Sequence, residues 1–352
     1  MEKTDTLKNY YIGGKEMKKI FIALLILILA MGTLTGCNSG TDNAGDSSQE
    51  KYVIQLAHVE AEGRSVYAAA EDFKKYVEDQ SEGVVTVNIL PNGQFGGDME
   101  GIEGTALGTI QMTMASTAPL ASYNDNFMIL DLPFLFTSRE DCYSAVDGEL
   151  GKALDDLLPQ YGLINLGYAD NGLRHITNNV RPINEPNDLK GIKIRVMQSP
   201  VYIDMFNLLG ANPTPMSFSE VYTALQQGTV DAQENGAGLV YATKFQEVQK
   251  YYSLTGHVYS LDAVLINDKF YNNLPENLQN IISKGAKDIL IDGQRQFEAN
   301  DDAGFIKKLQ DEGMIVNEIT PANLEKFKNA VMPMYDQYKG SKVEAKYFDM
   351  ID

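Results

Sequence analysis

The sequence predicts an α/β fold with mainly parallel strands and enough chain for two lobes. Three observations predict it. Strand-like and helix-like segments alternate along most of the chain. About 315 of the 352 residues follow an N-terminal leader, which is large for one core and comfortable for two. Hydrophobic content of 44% and charged content of 22% are ordinary for a globular protein.

The elements run as follows. Tyr52-Val53-Ile54-Gln55-Leu56-Ala57 reads as a strand. Ser65 to Gln80 reads as an amphipathic helix, because Val66, Ala69, Ala70, Phe73 and Val77 recur at helical spacing. Val84 to Leu90 alternates as a strand and ends at the turn Pro91-Asn92-Gly93. A helix over 98–107 and a strand over 110–115 follow. Between them and the turn, Gly93-Gln94-Phe95-Gly96-Gly97 lacks dinucleotide-binding spacing and suits a turn with positive φ. A helix over 139–160 and strands at Leu163–Tyr168 and Ile192–Val196 come next. Ser217-Phe218-Ser219-Glu220 has the form of a capping box, opening a helix from Phe218 to Gln227 that Gly228 stops. Thr229-Val230-Asp231 is strand-like, 239–249 helical, and Tyr251 to Ile266 strand-rich. Leu278, Ile281, Ile282, Ile289 and Leu290 mark one face of a helix over 274–298. Thr320-Pro321 starts another in the favoured N-cap and N1 arrangement.

Ahead of these elements, Met17-Lys18-Lys19 gives a basic start and Ile20 to Met31 is almost wholly apolar. Small residues then precede Cys37, completing the signature of a cleaved leader. The apolar run is shorter than the about 20 residues that span a bilayer. Leu34-Thr35-Gly36-Cys37 resembles the lipobox of bacterial lipoproteins, which implies that Cys37 carries lipid and becomes the N-terminus. Glu2, Asp5 and Glu16 suit a leader badly, so Met17 is the better start. Residues 1–36 are therefore read as leader, and 37–50 as the lipidated cysteine and a small, polar, flexible tether. The expected place is the outer face of the cytoplasmic membrane or the periplasm.

Charge narrows the partners. The leader carries five lysines against three acids, so a net charge of −19 becomes −21 on its removal. Such a field repels nucleic acid and anionic lipid. It also repels small anions, so an anion site must gather its cations locally. Only six arginines are present, at 64, 139, 174, 181, 195 and 295, and half fall between 174 and 195. With Cys37 lipidated, Cys142 has no disulfide partner and reads as a small buried residue.

Signals of catalysis are scarce. His58, His175 and His257 are far apart and lack metal-ligand spacing, so no metal is expected. No nucleophile elbow or phosphate-binding loop is present, and no cofactor is implied. A secreted enzyme acting on a sugar acid would have only Glu234 and His175 beside the arginines. The positive signal is the arginine pair itself. Arg174 follows the 163–168 strand, and Arg195 alternates with Ile192, Ile194 and Val196, facing away from them with Lys193. Two arginines at neighbouring strand ends suit a carboxylate clamp, with unrelated surface ion pairs as the alternative.

Several stretches resemble the solute-binding subunit of tripartite ATP-independent periplasmic (TRAP) transporters, in their lipoprotein, DctP-like form. They are LPNGQFGG at 90–97, LDLPFLF at 130–136, DNGLRHITNNVRPI at 170–183, DLKGIKIRV at 188–196, LGANPTPMSFSEVYTALQQGTVDAQEN at 209–235 and KFQEVQKYYSLTGH at 244–257. The likeness extends from about residue 52 to past 300. It implies a periplasmic-binding fold of the class II-like, Venus-flytrap type, with crossover strands near Ala169–Gly172 and Ser260–Asp262 and a long bridging helix over 274–298. Lobe I would comprise 51–171 with 262–300, and lobe II 172–261 with 301–352. It implies that Arg195 holds a ligand carboxylate and that Arg174 is a second contact. Phe218 would pack on the ligand, Asn235 hydrogen-bond it, and Gln198 and Ser116 make more variable contacts. No residue is assigned to catalysis.

Two departures from the family pattern matter. Ala232 stands where glycine is common, which constrains the backbone before Asn235. Met99 stands where many members carry an arginine for a second carboxylate, which favours a uronate or similar sugar acid. A C4-dicarboxylate or another keto or hydroxy acid is the alternative ligand. The expected partners are that acid and the membrane permease subunits of an ion-driven transporter, with the receptor itself a monomer. A chemosensory role would use the same ligand chemistry.

Overall fold

The computed structural model describes residues 50–136 and 138–351. The leader, Cys37 and the tether up to residue 49 lie outside the described residues. Nine strands form one sheet: β1 (Tyr52–Ala57), β2 (Val85–Leu90), β3 (Met112–Ser116), β4 (Leu163–Asn178), β5 (Lys193–Val196), β6 (Asn212–Pro215), β7 (Ala232–Asn235), β8 (Tyr251–Asn267) and β9 (Ile315–Glu318). Their order is β2-β1-β3-β8-β4-β7-β5-β6, with β9 added on β8. Pairing is parallel at both ends of the sheet, in β2-β1-β3 and β7-β5-β6. The middle is antiparallel, through β3-β8, β8-β4 and β4-β7. The sheet is thus mixed, not mainly parallel as the alternation of elements predicts, and its longest ladder runs antiparallel.

That ladder links the two ends. β8 pairs with β3 through residues 262–266, and its other end, 251–254, pairs with β9. β4 reaches β7 through His175–Asn178. Its register with β8 slips three times, between Asn165 and Tyr168, Asp170 and Gly172, and Arg174 and Ile176. Gly172 has φ of +90°, a conformation that a Cβ would strain. The two expected crossover segments are neighbours, with Ala169 opposite Asp262 and Gly172 opposite Ser260.

The helices that matter for the site are α1 (Ser65–Gln80), α2 (Asp98–Leu107), α3 (Arg139–Asp147), α4 (Glu149–Asp155), α5 (Pro200–Leu208), α6 (Phe218–Gln226), α7 (Ala237–Ala242), α8 (Glu276–Gly285) and α9 (Gln294–Asp311). α1 spans the predicted residues, and all five of its predicted apolar positions are buried. Its face packs on β1 and β2 and on Leu278, Ile282 and Leu290. A second core gathers Val221, Leu225, Val240, Tyr252 and Phe305.

Four further expectations need correction. The helix over 139–160 breaks into α3 and α4 at Gly148, where a Cβ would come within 2.8 Å of the Ser144 carbonyl. The Ser217 hydroxyl does not cap α6; it pairs with Ser219 Oγ at 3.2 Å. Strand β7 occupies Ala232–Asn235, beyond Thr229–Asp231, because that register sets it against both β4 and β5. The 274–298 helix runs on to Asp311 and changes to a π-helical turn over Ala286–Gly293. Past 320 the chain touches both ends of the fold: Tyr335 Oη donates to the Pro133 carbonyl, and Tyr338 Oη to Asp204.

Candidate binding site

The two arginines arrive by different routes. Arg195 sits on β5 between β6 and β7 and is 3% exposed. Nε and Nη2 donate to the Met216 carbonyl at 3.0 and 2.9 Å. Nη1 is buried with no hydrogen-bond partner among the described residues. The Phe218 ring, at the start of α6, lies 5.8 Å from the guanidinium carbon, within cation–π range. Burial pulls the Arg195 pKa down to about 10, with Arg174 adding to the effect and Glu234 and Asp98 opposing it. The group is still charged at neutral pH, and among the described residues no carboxylate forms an ion pair with it.

Arg174, on β4, is equally buried but saturated on one side. Its Nε and Nη2 reach the two carboxylate oxygens of Glu234 at 2.5 and 2.9 Å, and Nη2 also reaches the Glu234 carbonyl at 2.6 Å. β4–β7 pairing builds this contact, because it sets Ile176 opposite Glu234. His257 Nε2 on β8 closes on the same carboxylate at 3.2 Å. Burial works against the Glu234 charge, yet Arg174 and His257 win and hold its pKa down to about 2. His175 is neutral: burial, then His257, push its pKa down to about 3, and its Nδ1 accepts the Gly256 amide.

Asn235, the end of β7, is buried and donates from Nδ2 to Gln233 Oε1 at 2.6 Å. Ser116, the end of β3, is buried and donates to Met197 Sδ at 3.3 Å, two residues beyond Arg195. Gln198 is exposed. The structure therefore sets Phe218 against Arg195, Arg174 against Glu234 next to Asn235 on β7, and Ser116 against Met197 near Arg195, and leaves Gln198 exposed.

The residue here that the sequence reading missed is Asp98. It opens α2 immediately after the paired glycines and is half-buried. Desolvation, then Glu60, raise its pKa to about 6, while Arg195, the Ser116 amide and Arg174 pull it back. Its position directly after Gly96-Gly97 was the available signal. Beside Phe218 a cavity of about 300 Å³ opens, walled by Val59, Asn92 and Gly93 from one side and by Tyr222 and Phe245 from the other. Among the described residues no group of His, Cys, Asp and Glu has metal-binding geometry, and no helix is long and apolar enough to cross a membrane.

The sugar-acid-binding protein DctPAm of Advenella mimigardefordensis, solved with galactonate, is 34% identical, with a TM-score of 0.83 over 86% of this chain and 97% of that one. The 2,3-diketo-L-gulonate-binding periplasmic protein of Escherichia coli strain K12 is 34% identical over 81% of this chain and 86% of its own. The C4-dicarboxylate-binding protein DctB of Bacillus subtilis strain 168 is 29% identical over 90% and 93%. Such proteins are extracytoplasmic receptors that bind small organic acids and work with a membrane permease; they are transport proteins, not enzymes. The profile of the bacterial extracellular solute-binding proteins, family 7, matches residues 56–341, and the chain belongs to that DctP family of TRAP solute receptors.

Proposed function

We propose that this receptor captures a sugar acid with one carboxylate and delivers it to the permease. The observation that carries the reading is the buried Arg195 guanidinium, whose Nη1 lacks a hydrogen-bond partner among the described residues, beside the Phe218 ring. A carboxylate there would receive a charge-assisted hydrogen bond of about 1.5–3 kcal/mol. It would also supply the counter-charge that the buried cation lacks. Phe218 would pack on the ligand, Asn235 and Ser116 bond its hydroxyls, and Gln198 close the rim. Arg174 adds positive potential, although Glu234 already takes two of its nitrogens.

The Asp98 side of the site favours hydroxyls over a second carboxylate. Asp98, near enough for Arg195 to pull its pKa down without an ion pair, offers an acceptor there and, when ionised, a negative charge. Met99, next to it, cannot pair with an anion. Relatives solved with galactonate, galacturonate and glucuronate fit this chemistry. Relatives solved with succinate keep a C4-dicarboxylate as the rival ligand.

Ligand contacts from both ends of the sheet would favour a closed state over an open one. Lobe I would be 51–171 with 262–300, lobe II 172–261 with 301–352, and the protein a monomer. Lipid on Cys37 and the tether would hold it at the outer face of the cytoplasmic membrane. A thermal-shift screen over aldonates, uronates, C4-dicarboxylates and keto acids tests the ligand class. Stabilisation by an aldonate or a uronate is expected; stabilisation by succinate alone would overturn the reading.

A further inference from the structure

The glycine run at 93–97 does two separate things. Gly93 and Gly96 have φ of +67° and +127°, where glycine is favoured. Gly97 has φ of −83° and ψ of −169°, an extended conformation that any residue adopts. Its lack of a side chain therefore has another cause. A Cβ on Gly97 would overlap Ser217 Oγ, lie 3.0 Å from Glu100 Oε2 in its own loop and 3.5 Å from Ser217 Cβ. These two residues are about 120 positions apart. Each stands immediately before a helix that carries a site residue, Asp98 on α2 and Phe218 on α6. Two further contacts run along the same line: a Cβ on Gly93 would lie 3.8 Å from Ser219 Cβ, and Ser116 Oγ meets Met197 Sδ.

We infer that the Gly97–Ser217 contact is the closure seam of the receptor, and that the bare backbone at Gly97 sets how far the two ends can shut on a ligand. The inference rests on the proposed closing of the two ends. The physical reason is short-range. Gly97 is held within its own loop by its amide, which donates to Glu100 Oε2 at 2.8 Å. Side-chain atoms added there gain space once the ends separate, because the nearest atoms across the gap belong to Ser217, while Glu100 Oε2 in the same loop is the end of a flexible side chain that can give. In the shut arrangement they do not. A single methyl forces the Ser217 hydroxyl to rotate and give up Ser219. A branched side chain meets Ser217 Cβ as well, and no rotation relieves that.

The test is a substitution series read by calorimetry with D-galactonate and D-glucuronate. Gly97→Val is expected to weaken binding about tenfold, as overpacking does, and Gly97→Ala to weaken it less. Adding Ser217→Gly to Gly97→Val should recover most of the affinity. Unliganded melting temperatures should stay at the wild-type value, since neither residue belongs to a core. Independently of any ligand, the 3.5 Å separation suits a disulfide. The pair Gly97→Cys with Ser217→Cys should therefore cross-link under mild oxidation, seen as lost free thiol. Unchanged affinity in Gly97→Val, no relief by Ser217→Gly, or no cross-link would each overturn the seam. Failure of wild-type protein to bind either acid would instead overturn the ligand reading, and the cross-link would still report on the seam.

Discussion

Two buried guanidinium regions divide the work of this protein. At the start of α1, Arg64 is 1% exposed and fully committed. Its Nε donates to Glu60 and its Nη1 to Glu298 on α9, both at 2.9 Å. Glu298 also takes the Ser65 hydroxyl, and Gln294 ties Ser65 to the Asp170 backbone. Burial opposes the Arg64 charge, but Glu60 and Glu298 overcome it and raise its pKa. At the seam, Arg195 is about as buried, yet it faces one carbonyl and no bound carboxylate, and its pKa falls. Equal burial with opposite compensation separates a cation that holds elements together from one that, in the proposed reading, takes the ligand's carboxylate. Arg174 lies between them, adjacent to the site but already neutralised by Glu234.

Stability should follow compensation. Arg64→Met leaves Glu60 and Glu298 buried without their cation and should cost about 3–5 kcal/mol. Arg195→Met removes a charge with no bound carboxylate and should cost less than about 1 kcal/mol, or stabilise the unliganded protein. Urea midpoints of both variants check this, and the reverse order would break the comparison.

Glu234→Gln should cost about 3 kcal/mol near neutral pH, because it strips Arg174 of its counter-charge. The folded pKa of Glu234, about 2, lies below the ordinary carboxylate value of 4.5. Its contribution is therefore complete above pH 4.5 and lost as pH falls toward 2. The stability gap between wild type and Glu234→Gln should shrink over that window, as denaturant titrations at several pH values would reveal. A gap that widens on acidification would place the pair's energy elsewhere.

The smallest effect concerns Asp98. With a pKa raised to about 6, it is ionised at pH 8 and repels a second carboxylate at the seam. Succinate affinity should rise several-fold, about 1 kcal/mol, as pH falls through 6. Asp98→Asn should show the higher affinity at every pH. Flat succinate titrations in wild type would remove Asp98 from the selectivity argument.

Much of the scaffold could be read in advance because it follows local spacing. α1 matches its predicted residues because its apolar face repeats every three to four positions and packs on two strands. Arg195 was legible from alternation on β5, where its neighbours Ile194 and Val196 are buried. What escaped depends on distant chain. The Arg174–Glu234 pair joins residues 60 apart and exists because of the β4–β7 register. The Ser217 hydroxyl forgoes its capping geometry for Ser219, beside a loop more than a hundred residues away. The Asp98 pKa is raised by burial and then by Glu60, against the pull of Arg195, and neither partner is its sequence neighbour. Scarcity of arginine and strand position marked Arg174 and Arg195 as a pair in the sequence; that Glu234 pairs with Arg174 and no carboxylate pairs with Arg195 among the described residues needs the fold.

The central proposal is that Arg195 holds the ligand's carboxylate in a fork, one bond from Nη1, which has no partner among the described residues, and one from the Nη2 hydrogen that Met216 leaves free. Calorimetry of wild type, Arg195→Ala and Arg195→Lys against D-galactonate and D-glucuronate tests it most directly. The account predicts no measurable binding in Arg195→Ala. It also predicts a large loss in Arg195→Lys, whose ammonium keeps the charge but cannot fork. Affinity near the wild-type value in Arg195→Lys would contradict it.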